Sequence, residues 1–512
     1  MKQSFRKLHQ EGVFAAMPEQ RSRYQLKDKK NPRDAALLIL LRVSEEGRKS
    51  HYAVREVLAL CDDMEARDRA FAKRAAEGSL DYLIRLDCLL SRYLKKPLAL
   101  QKPLLRGILR LSLYQLLYMD KVPDSAVCNE AVKLAKLHGL SGLSGVVNGT
   151  LRTIVRNKEA HADRLFVIAD RAAELSVPKW LYRKLCGDFG AEQAEKIASA
   201  WLSERAVTLR LNRSRASEEE AEVLLAADGV CFEKLDAGTF FSENGVPVEV
   251  LPAGGLPVFY ELQSSEGLSE LSAFQKGILQ PQDLSSALSA LFADPKAGDY
   301  IIDVCAAPGG KSLQLADMLL CAQQKEAQDR AGLPIKEKTA EGENLPPKEE
   351  LADAGNLPPK EGLVDARDLS PQKVRLIEEN IARSGFRNIR AHVQDALLTD
   401  EESLYRADIV IADLPCSGLG IAARKPDIKR NLRPYSIEEL QGLQRDMLRI
   451  VSRYVKPHGK LVYSTCTLTP EEDEENAEFI ARELGFQLKK QVKVFPGKKS
   501  DGFYAALFQK GF

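Results

Sequence analysis

The sequence has no stretch of apolar residues that approaches the roughly 18–20 positions needed to cross a lipid bilayer. Its nine cysteines are scattered over 512 residues, and no two of them form a Cys-x-x-Cys pair. Such sparse cysteines exclude a disulfide framework, argue against a zinc site and are typical of a reducing compartment. We therefore expect a cytoplasmic protein that does not contact a membrane and holds no metal.

A strong overall charge is also missing, since the formal net charge at pH 7 is only +1. This balance hides an asymmetry along the chain. Residues 1–160 contain 30 Lys and Arg against 18 Asp and Glu, an excess of +12, so the remaining residues together carry −11. A basic amino-terminal part on a mildly acidic body predicts a segment that meets the phosphates of a nucleic acid, although a merely solvated basic surface would have the same composition.

The length and the hydrophobic patterning indicate a multidomain protein, with an all-α amino-terminal part and an α/β carboxyl-terminal part. Apolar residues at three- and four-residue spacing, such as Leu105, Ile108 and Leu109, predict helices in the first part. From about residue 275, strands and helices alternate as in a parallel sheet with crossover helices. The predicted segments are a basic flexible N-terminus (1–30), a helical domain (31–158), a helical linker (159–204), a small α/β subdomain (205–274) and a Rossmann-like α/β domain (275–512).

An internal repeat with a period of twelve residues interrupts the last domain. Three units, Lys325–Lys336, Glu337–Lys348 and Glu349–Lys360, precede a fourth unit that contains Asp368. The position of Asp368 is Asn in the two units before it. The insert, 322–362, is charged, rich in proline and weakly apolar, which predicts a surface loop that arose by tandem duplication. We expect this loop to be a spacer without a function of its own.

Three short motifs carry the chemistry, and each of them follows a predicted strand. The first, Asp303–Ser312, reads Asp-Val-Cys-Ala-Ala-Pro-Gly-Gly-Lys-Ser. The second, Asp413–Gly418, contains a Pro-Cys pair, and the third, Tyr463–Thr467, contains a Thr-Cys pair. Ligands bind beyond the carboxyl ends of the strands in open parallel sheets, so we expect the three motifs to lie close together.

The first motif combines a strand, a turn of small residues and a helix, which directs backbone N–H groups and a helix N-terminus at a ligand. Its Gly309 and Gly310 permit a close approach of the backbone. Taken alone, such a turn could hold a phosphate. It lacks the Gly-x-x-x-x-Gly-Lys spacing of a P-loop, however, because Cys305 and Ala306 occupy the positions where the first glycine would stand.

Two cysteines at the mouth of one such site predict the methylation of a pyrimidine carbon. C5 of cytosine is a poor nucleophile, but the addition of a thiolate at C6 turns C5 into an enamine-like carbon that can attack a methyl donor. A second group must then remove the C5 proton, so that the enzyme is released. A lone cysteine is more often a small buried hydrophobic residue. We assign this structural role to Cys61, Cys88, Cys128, Cys186, Cys231 and Cys321.

Residues from about 274 to 512 resemble the RNA cytosine-5 methyltransferases. That resemblance rests on the three motifs together with Gln282–Ser286, Asp368, Gln394–Ala396 and Asp501–Tyr504. The helical part resembles the NusB RNA-binding fold through Lys121–Pro123, Asn129–Val132 and Val147–Arg152. The combination is similar to the RsmB (Sun, Fmu) family of 16S ribosomal RNA cytosine-5 methyltransferases. It implies S-adenosylmethionine as the cofactor and free or partly assembled small-subunit ribosomal RNA as the partner. We expect a monomer.

The resemblance also implies which residues hold S-adenosylmethionine. The glycine-rich turn would receive its methionine and carboxylate end, Asp368 both ribose hydroxyls, and Asp395 the adenine amino group. Asp365 competes with Asp368 for the ribose, and a helix N-terminal acid would explain Asp368 without any ligand. The implied cofactor-binding residues are Cys305, Ala306, Ala307, Pro308, Gly309, Gly310, Lys311, Asp368, Asp395 and Asp413.

The catalytic roles are likewise implied by the resemblance. Cys466 is the nucleophile, because the RNA enzymes use the cysteine of the Thr-Cys pair, and Cys416 supports proton removal and product release. In DNA cytosine methyltransferases the cysteine of the Pro-Cys pair attacks instead, and the residue pattern alone does not decide between the two assignments. Asp413 would hold the N3 and N4 edge of the cytosine and favour its protonated form, while Lys311 would lie near the base or cap the turn.

Basic residues after the Pro-Cys motif are candidates for phosphate contacts at the rim of the site, or else form an exposed basic helix: Arg424, Lys425, Lys429, Arg430 and Arg433. Two other functions stay open. A transfer RNA cytosine-5 methyltransferase would use the same chemistry, and a non-catalytic RNA-binding assembly or antitermination factor would need only the helical part. The presence of every motif residue favours the enzyme.

Overall fold

A computed structural model of the protein describes residues 22–160, 167–203, 205–246, 255–263, 267–331 and 362–511. Most of the predicted flexible N-terminus and of the repeat insert lies outside these residues. The predicted loop is wrong for residues 322–331, because they continue the helix that begins at Gly310. The chain divides into two compact units, of which the first comprises Met1–Lys179 and Lys425–Asn431, and the second Trp180–Arg424 and Leu432–Phe512. No helix in the described ranges combines the length and the apolar character that a bilayer crossing requires.

The first unit is helical throughout its described residues. Its elements are the short helix Asp427–Asn431 and helices α1 (Pro32–Ser44), α2 (Ser50–Ala59), α3 (Ala66–Asp81), α4 (Leu83–Leu90), α5 (Pro103–Tyr118), α6 (Asp124–Leu137), α7 (Ser144–Ala160) and α8 (Arg171–Glu174). The side chain of Asn31 caps α1 by accepting from two backbone N–H groups, and Pro32 occupies the first helical position. The run from Ala35 to Leu41 is buried on all sides, so α1 lies inside the core of this unit.

The predicted apolar face of α5 is confirmed. Leu105, Ile108 and Leu109 are each at most 1% exposed. Leu111 and Tyr114, which the spacing did not single out, are buried as well. The helix is therefore enclosed by its neighbours on more than one side, whereas the spacing predicted a single buried face.

The second unit begins with α9 (Lys179–Phe189), α10 (Ala191–Ala200) and a small antiparallel sheet. Its described strands have the order β2-β3-β1-β4 and are β1 (Val207–Leu211), β2 (Phe232–Leu235), β3 (Phe259–Leu262) and β4 (Leu279–Pro281). Helices α11 (Glu218–Ala227), α12 (Ala237–Glu243) and α13 (Ser272–Gln275) accompany these strands. Ser217 and Glu220 form a capping box at the start of α11, and Leu209, Leu225 and Tyr260 share one core. A small α/β subdomain is therefore present, as predicted.

A second sheet of seven described strands has the order β10-β11-β9-β8-β5-β6-β7. Its elements are α14 (Leu288–Ala293), β5 (Tyr300–Asp303), α15 (Gly310–Ala331), β6 (Leu363–Asp368), α16 (Pro371–Ser384), β7 (Ile389–Val393), β8 (Ala407–Asp413), α17 (Pro434–Val451), β9 (Val455–Thr465), α18 (Glu474–Glu483), β10 (Phe486–Val494) and β11 (Phe503–Lys510). Strands β5 to β9 pair in parallel, and β11 is antiparallel to both of its neighbours. Alternate residues of β8 enter two separate cores, Ile409 and Ile411 one and Val410 and Ala412 the other. The predicted Rossmann-like fold class is confirmed.

The strand order reverses on either side of β5, because β6 and β7 lie on one side and β8 and β9 on the other. Open α/β sheets form a crevice at the carboxyl ends of the strands where the order reverses. The three sequence motifs follow β5, β8 and β9, so the topology brings all of them to this edge of the sheet.

Candidate active site

The glycine-rich turn lies between β5 and α15, at the reversal of strand order. Its backbone is joined to β6, because Ala306 N donates to Arg367 O at 2.8 Å. Gly309 has a φ of +103°, a conformation that favours glycine. A Cβ added at Gly310 would meet no other atom within 4 Å, so this side of the turn faces open space. The turn is fixed in place and can approach a ligand closely at Gly310.

A cavity of about 170 Å³ opens beside the turn. The predicted cofactor residues among its walls are Cys305, Ala306, Ala307, Pro308, Gly310, Lys311 and Asp413. The remaining walls are Pro281, Gln282, Ser286 and Asp303, to which sequence reasoning assigned no role. A signal for Gln282 and Ser286 was present, because both belong to a segment on which the family resemblance rests. Gly309, Asp368 and Asp395 do not line this cavity.

Asp303 ends β5 on the wall of the cavity and is 1% exposed. One carboxylate oxygen, Oδ2, accepts a hydrogen bond from Ser312 Oγ at 2.6 Å, whereas Oδ1 has no hydrogen-bond partner in the described part of the chain. Burial raises the pKa of Asp303 to about 7, against the lowering effect of the Ser312 hydrogen bond. A buried acceptor without a partner favours a ligand that donates hydrogen bonds or carries positive charge.

Asp368 ends β6 directly beside the turn. Its Oδ2 accepts a hydrogen bond from Ala307 N at 3.2 Å, and its Oδ1 lies 3.1 Å from Lys373 Nζ. The side chain is almost completely buried. Among the predicted ribose ligands, Asp368 is therefore the one that touches the turn. Asp395 follows β7, and its Oδ1 accepts from Leu397 N at 2.9 Å without a described contact to the turn.

Asp365 occupies the interior of β6 and is completely buried. Its carboxylate accepts hydrogen bonds from Arg367 at 2.7 Å, from the Tyr300 hydroxyl at 2.8 Å and from Arg390 at 3.1 Å. Burial acts to raise the pKa of Asp365, but the hydrogen bonds from both arginines outweigh it and hold that pKa below the usual range. Asp365, the alternative ribose ligand, therefore already binds side chains of its own domain.

Asp413 ends β8 and connects the cavity to the next motif. Its Oδ2 lies 2.7 Å from Lys311 Nζ, and its Oδ1 accepts from Ser464 Oγ at 2.9 Å. Burial acts to lower the pKa of Lys311, but the Asp413 carboxylate outweighs it and raises that pKa above the usual value. Lys311 therefore stays an ammonium that orients Asp413. Two bound donors leave free lone pairs on this carboxylate, so Asp413 can still accept from a substrate.

The two motif cysteines lie side by side. Asp413 and Ser464 face each other in the parallel pairing of β8 with β9, so Cys416 and Cys466 leave the sheet at the same level. Their Sγ atoms are 3.2 Å apart. The hydrogen bond to Cys466, together with burial, raises the pKa of Cys416 well above that of an ordinary thiol. Cys416 therefore stays protonated and can donate to the sulfur of Cys466.

Three loops cross immediately beyond the cysteines. Gly420 N donates to Cys466 O at 3.0 Å, and Gly502 N donates to Gly420 O at 2.9 Å. A Cβ added at Gly420 would lie 2.0 Å from Gly502 O, so only glycine fits at this crossing. The Asp501–Tyr504 segment, which had no assigned role, thus binds the Cys416 loop at Gly420, and Gly420 in turn binds the Cys466 loop.

Three of the basic residues after the Pro-Cys motif bind groups of the protein itself. Lys429 is buried in the first unit, where Nζ donates to Asp81 O, and burial lowers its pKa against the opposing effect of the Asp81 carboxylate. Arg430 donates to Ser44 O in the same unit, and Arg424 forms ion pairs with two carboxylates of the second unit. The predicted phosphate contact is wrong for Lys429, because its side chain is buried, whereas the contacts of Arg424 and Arg430 stay predictions.

Comparison with known proteins agrees with this architecture. Residues 30–156 match the NusB family, residues 177–239 the ferredoxin-like domain of RsmF/B-like methyltransferases, and residues 354–509 the 16S rRNA methyltransferase RsmB/F family. A protein of Bacillus subtilis (strain 168), named "Probable ribosomal RNA small subunit methyltransferase B", is 32% identical over 449 residues that cover 87% of each chain. The chain belongs to the RsmB/F family of methyltransferases. Within this family it is an S-adenosylmethionine-dependent RNA methyltransferase.

Further relatives of this RsmB/F-family enzyme match nearly its whole length. The ribosomal RNA small subunit methyltransferase B of Vibrio vulnificus (strain YJ016) is 26% identical over 491 residues, which cover 94% of this chain and 99% of that protein. The crystal structure of PH0851 has the same fold, with a TM-score of 0.68, 21% identity, and coverage of 94% of this chain and 99% of that one. The predicted family, its NusB-like helical domain and its Rossmann-like domain are confirmed, and the small α/β subdomain is ferredoxin-like.

Proposed function

We propose that the protein methylates C5 of a specific cytosine in 16S ribosomal RNA through a covalent bond between Cys466 and C6. The observation that carries this proposal is the distance of 3.2 Å between the sulfurs of Cys416 and Cys466, beside Asp413 at the open edge of the sheet. One cysteine would suit many nucleophilic reactions. Two thiols in contact suit a reaction in which one group attacks a carbon and a second group helps to release it.

The residues around the cavity fit S-adenosylmethionine, which carries positive charge on its sulfonium and ammonium groups. The partnerless oxygen of Asp303 is an acceptor for such a ligand. The turn Cys305–Lys311 would hold the methionine end, Asp368 the ribose hydroxyls and Asp395 the adenine amino group. S-adenosylmethionine supplies an electrophilic methyl group when it is bound.

The protein's own groups account for the attack and the release. Cys466 adds to C6 as a thiolate, which the S–H group of Cys416 stabilises by hydrogen bonding. Asp413, oriented by Lys311, holds the N3 and N4 edge of the ring. Once Cys466 has become a thioether, it no longer carries a negative charge, so the S–H group of Cys416 has no thiolate left to stabilise. Cys416, which first passes its own proton to solvent, then accepts the C5 proton on sulfur, the C5–H electrons restore the C5=C6 bond, and the Cys466 thiolate leaves.

Ribosomal RNA is proposed as the substrate on two grounds. The relatives that match almost the whole chain carry the name ribosomal RNA small subunit methyltransferase B. The amino-terminal 160 residues also carry an excess positive charge of +12, which suits a phosphate backbone. Bisulfite sequencing of total RNA from cells with and without this gene tests the choice. The loss of one methylated cytosine in 16S RNA supports it, whereas a loss confined to transfer RNA would replace it with the transfer RNA alternative.

The roles of the cysteines are tested by trapping the enzyme on RNA. Cys466→Ala should abolish methyl transfer and form no covalent adduct. Cys416→Ala should allow attack and methylation but stall before release, because the C6 thioether persists until the C5 proton leaves. The expected observation for Cys416→Ala is a slowly migrating protein–RNA band on a denaturing gel. An adduct formed by Cys466→Ala and none by Cys416→Ala would reverse the assignment.

A further inference from the structure

Glu472 binds the two cysteine loops, and its described hydrogen bonds go to neither cysteine. The side chain is completely buried. Glu472 follows Cys466 by six residues. It is part of Glu471–Glu475, in which every residue is acidic. Such a run normally forms a solvated face, so a fully buried member requires a specific reason.

The carboxylate of Glu472 joins both loops. Its Oε1 accepts from Ser417 N at 2.8 Å, and its Oε2 accepts from Ser417 Oγ at 2.5 Å. Oε2 also accepts from Thr469 Oγ1 at 2.7 Å, and Oε1 from Gln444 Nε2 at 3.0 Å. Ser417 follows Cys416 directly, and Thr469 stands three residues after Cys466. A single side chain therefore ties the residue next to one cysteine to the loop of the other.

The sheet does not hold the loops together at this level. The last backbone hydrogen bond between them at the strand ends runs from Leu414 N to Ser464 O, before either cysteine. Beyond it, the described links include the contact between the two sulfurs, the hydrogen bonds at Glu472, the crossing at Gly420 and the hydroxyl pair Ser417–Thr467 at 2.5 Å. Four donors fill the lone pairs of a carboxylate, so Glu472 is used completely in this contact. Burial raises the pKa of Glu472, against the lowering effect of the Ser417 and Thr469 hydrogen bonds.

We propose that Glu472 is a positioning residue, which holds the Cys416 and Cys466 loops so that the two sulfurs stay in contact. The importance of that contact for methyl transfer rests on the function proposed above, whereas the effect on the distance between the thiols does not. The essential property of Glu472 in this role is the length of its side chain, because its two carboxylate oxygens must reach both loops at once.

Two variants separate the effect of side-chain length from the effect of charge, and a third variant is a control. Glu472→Gln keeps the length of the side chain. Its amide oxygen can accept from Ser417 N and Gln444, and its amide N–H groups can donate to the hydroxyls of Ser417 and Thr469. Glu472→Asp keeps the charge but is one methylene shorter, so it cannot reach both loops. Glu475→Ala is the matched control, because Glu475 belongs to the same acidic run and its side chain is 54% exposed.

The distance between the thiols is measured on the full-length protein without RNA. Phenylarsine oxide binds tightly only where two thiols lie close enough to bridge one arsenic atom, and Cys466→Ala provides the blank. We expect wild-type affinity in Glu472→Gln and Glu475→Ala, and at least a tenfold loss in Glu472→Asp. Unchanged affinity in Glu472→Asp would overturn the proposal. So would a loss in Glu472→Gln together with retention in Glu472→Asp, since charge and not side-chain length would then matter.

Methyl transfer to a 16S RNA transcript gives the second measurement. A displacement of about 1 Å at reacting groups lowers a rate about 100-fold, so kcat of Glu472→Asp should fall by that factor while KM for RNA and the Kd of S-adenosylmethionine stay unchanged. Equal losses of cofactor binding and thermal stability would show a merely structural role and refute positioning. If no variant, including the wild type, methylates the transcript, the proposed function fails while the arsenical titration still decides the role of Glu472.

Discussion

Replacing Gly420 with alanine tests the crossing of the three loops. The new Cβ would lie 2.0 Å from Gly502 O and 2.8 Å from Cys466 O. Both oxygens belong to the backbone and cannot rotate away. Because contacts of a Cβ below 3.0 Å essentially do not occur, the loops must separate by at least 1.0 Å at Gly502. The 1.0 Å separation is between the Cys416 loop and the Asp501–Tyr504 segment, and the new Cβ also crowds the Cys466 loop at Cys466 O. A shift of this size at reacting groups lowers the rate about 100-fold.

The assay is kcat for methyl transfer, together with the Kd of S-adenosylmethionine and the thermal unfolding of the same samples. We expect kcat to fall about 100-fold, stability to fall by about 1–3 kcal/mol from overpacking, and cofactor affinity to stay unchanged, since neither Gly420 nor the residues that its Cβ would meet line the cavity. Gly442→Ala is the control, because a Cβ in α17 would meet nothing within 4 Å and should stabilise that helix by about 0.5–1 kcal/mol. Wild-type kcat and stability in Gly420→Ala would refute the reasoning.

Three further changes have defined outcomes. Asp368→Ala should weaken S-adenosylmethionine binding by about 1–3 kcal/mol in calorimetry, and unchanged affinity would remove its ribose role. The raised pKa of Asp303, about 7, means that the folded protein binds the extra proton, so its unfolding free energy should fall by up to about 4 kcal/mol as pH rises from 4 to 8. Chemical denaturation of Asp303→Asn should lack this component. Deletion of Lys325–Lys360, three whole repeat units, also removes the exposed end of α15, and it should leave folding and methyl transfer close to wild type, because the length of a connection has little effect on stability.

Local patterns in the sequence were sufficient to predict that the three motifs lie at one edge of the sheet. A strand followed by a turn of small residues, and two cysteines just past apolar strands, place reactive groups at one edge of a parallel sheet, since period-two patterning and strand direction are local properties. Asp413 and the turn Cys305–Lys311 accordingly meet at one cavity.

Local patterns did not predict which charged residues are buried. Lys429 belongs to a basic stretch and Glu472 to an acidic one, and both patterns are typical of solvated surface. Lys429 is nevertheless buried against Asp81, which lies 348 residues away in the chain, and Glu472 is buried against Ser417, which is 55 residues away. Partners at such separations are chosen by the fold, and composition carries no information about them.

The sequence by itself therefore determined the fold class, the edge of the sheet where the motifs lie and the residue types available for chemistry. Only the tertiary structure decided which of two carboxylates touches the turn, that the cysteine sulfurs approach to 3.2 Å, and that a buried acid ties their loops together. The physical reason is that hydrogen-bond patterns and side-chain periodicity act over a few residues. Distances between loops, by contrast, depend on how separate strands and buried polar groups pack in three dimensions.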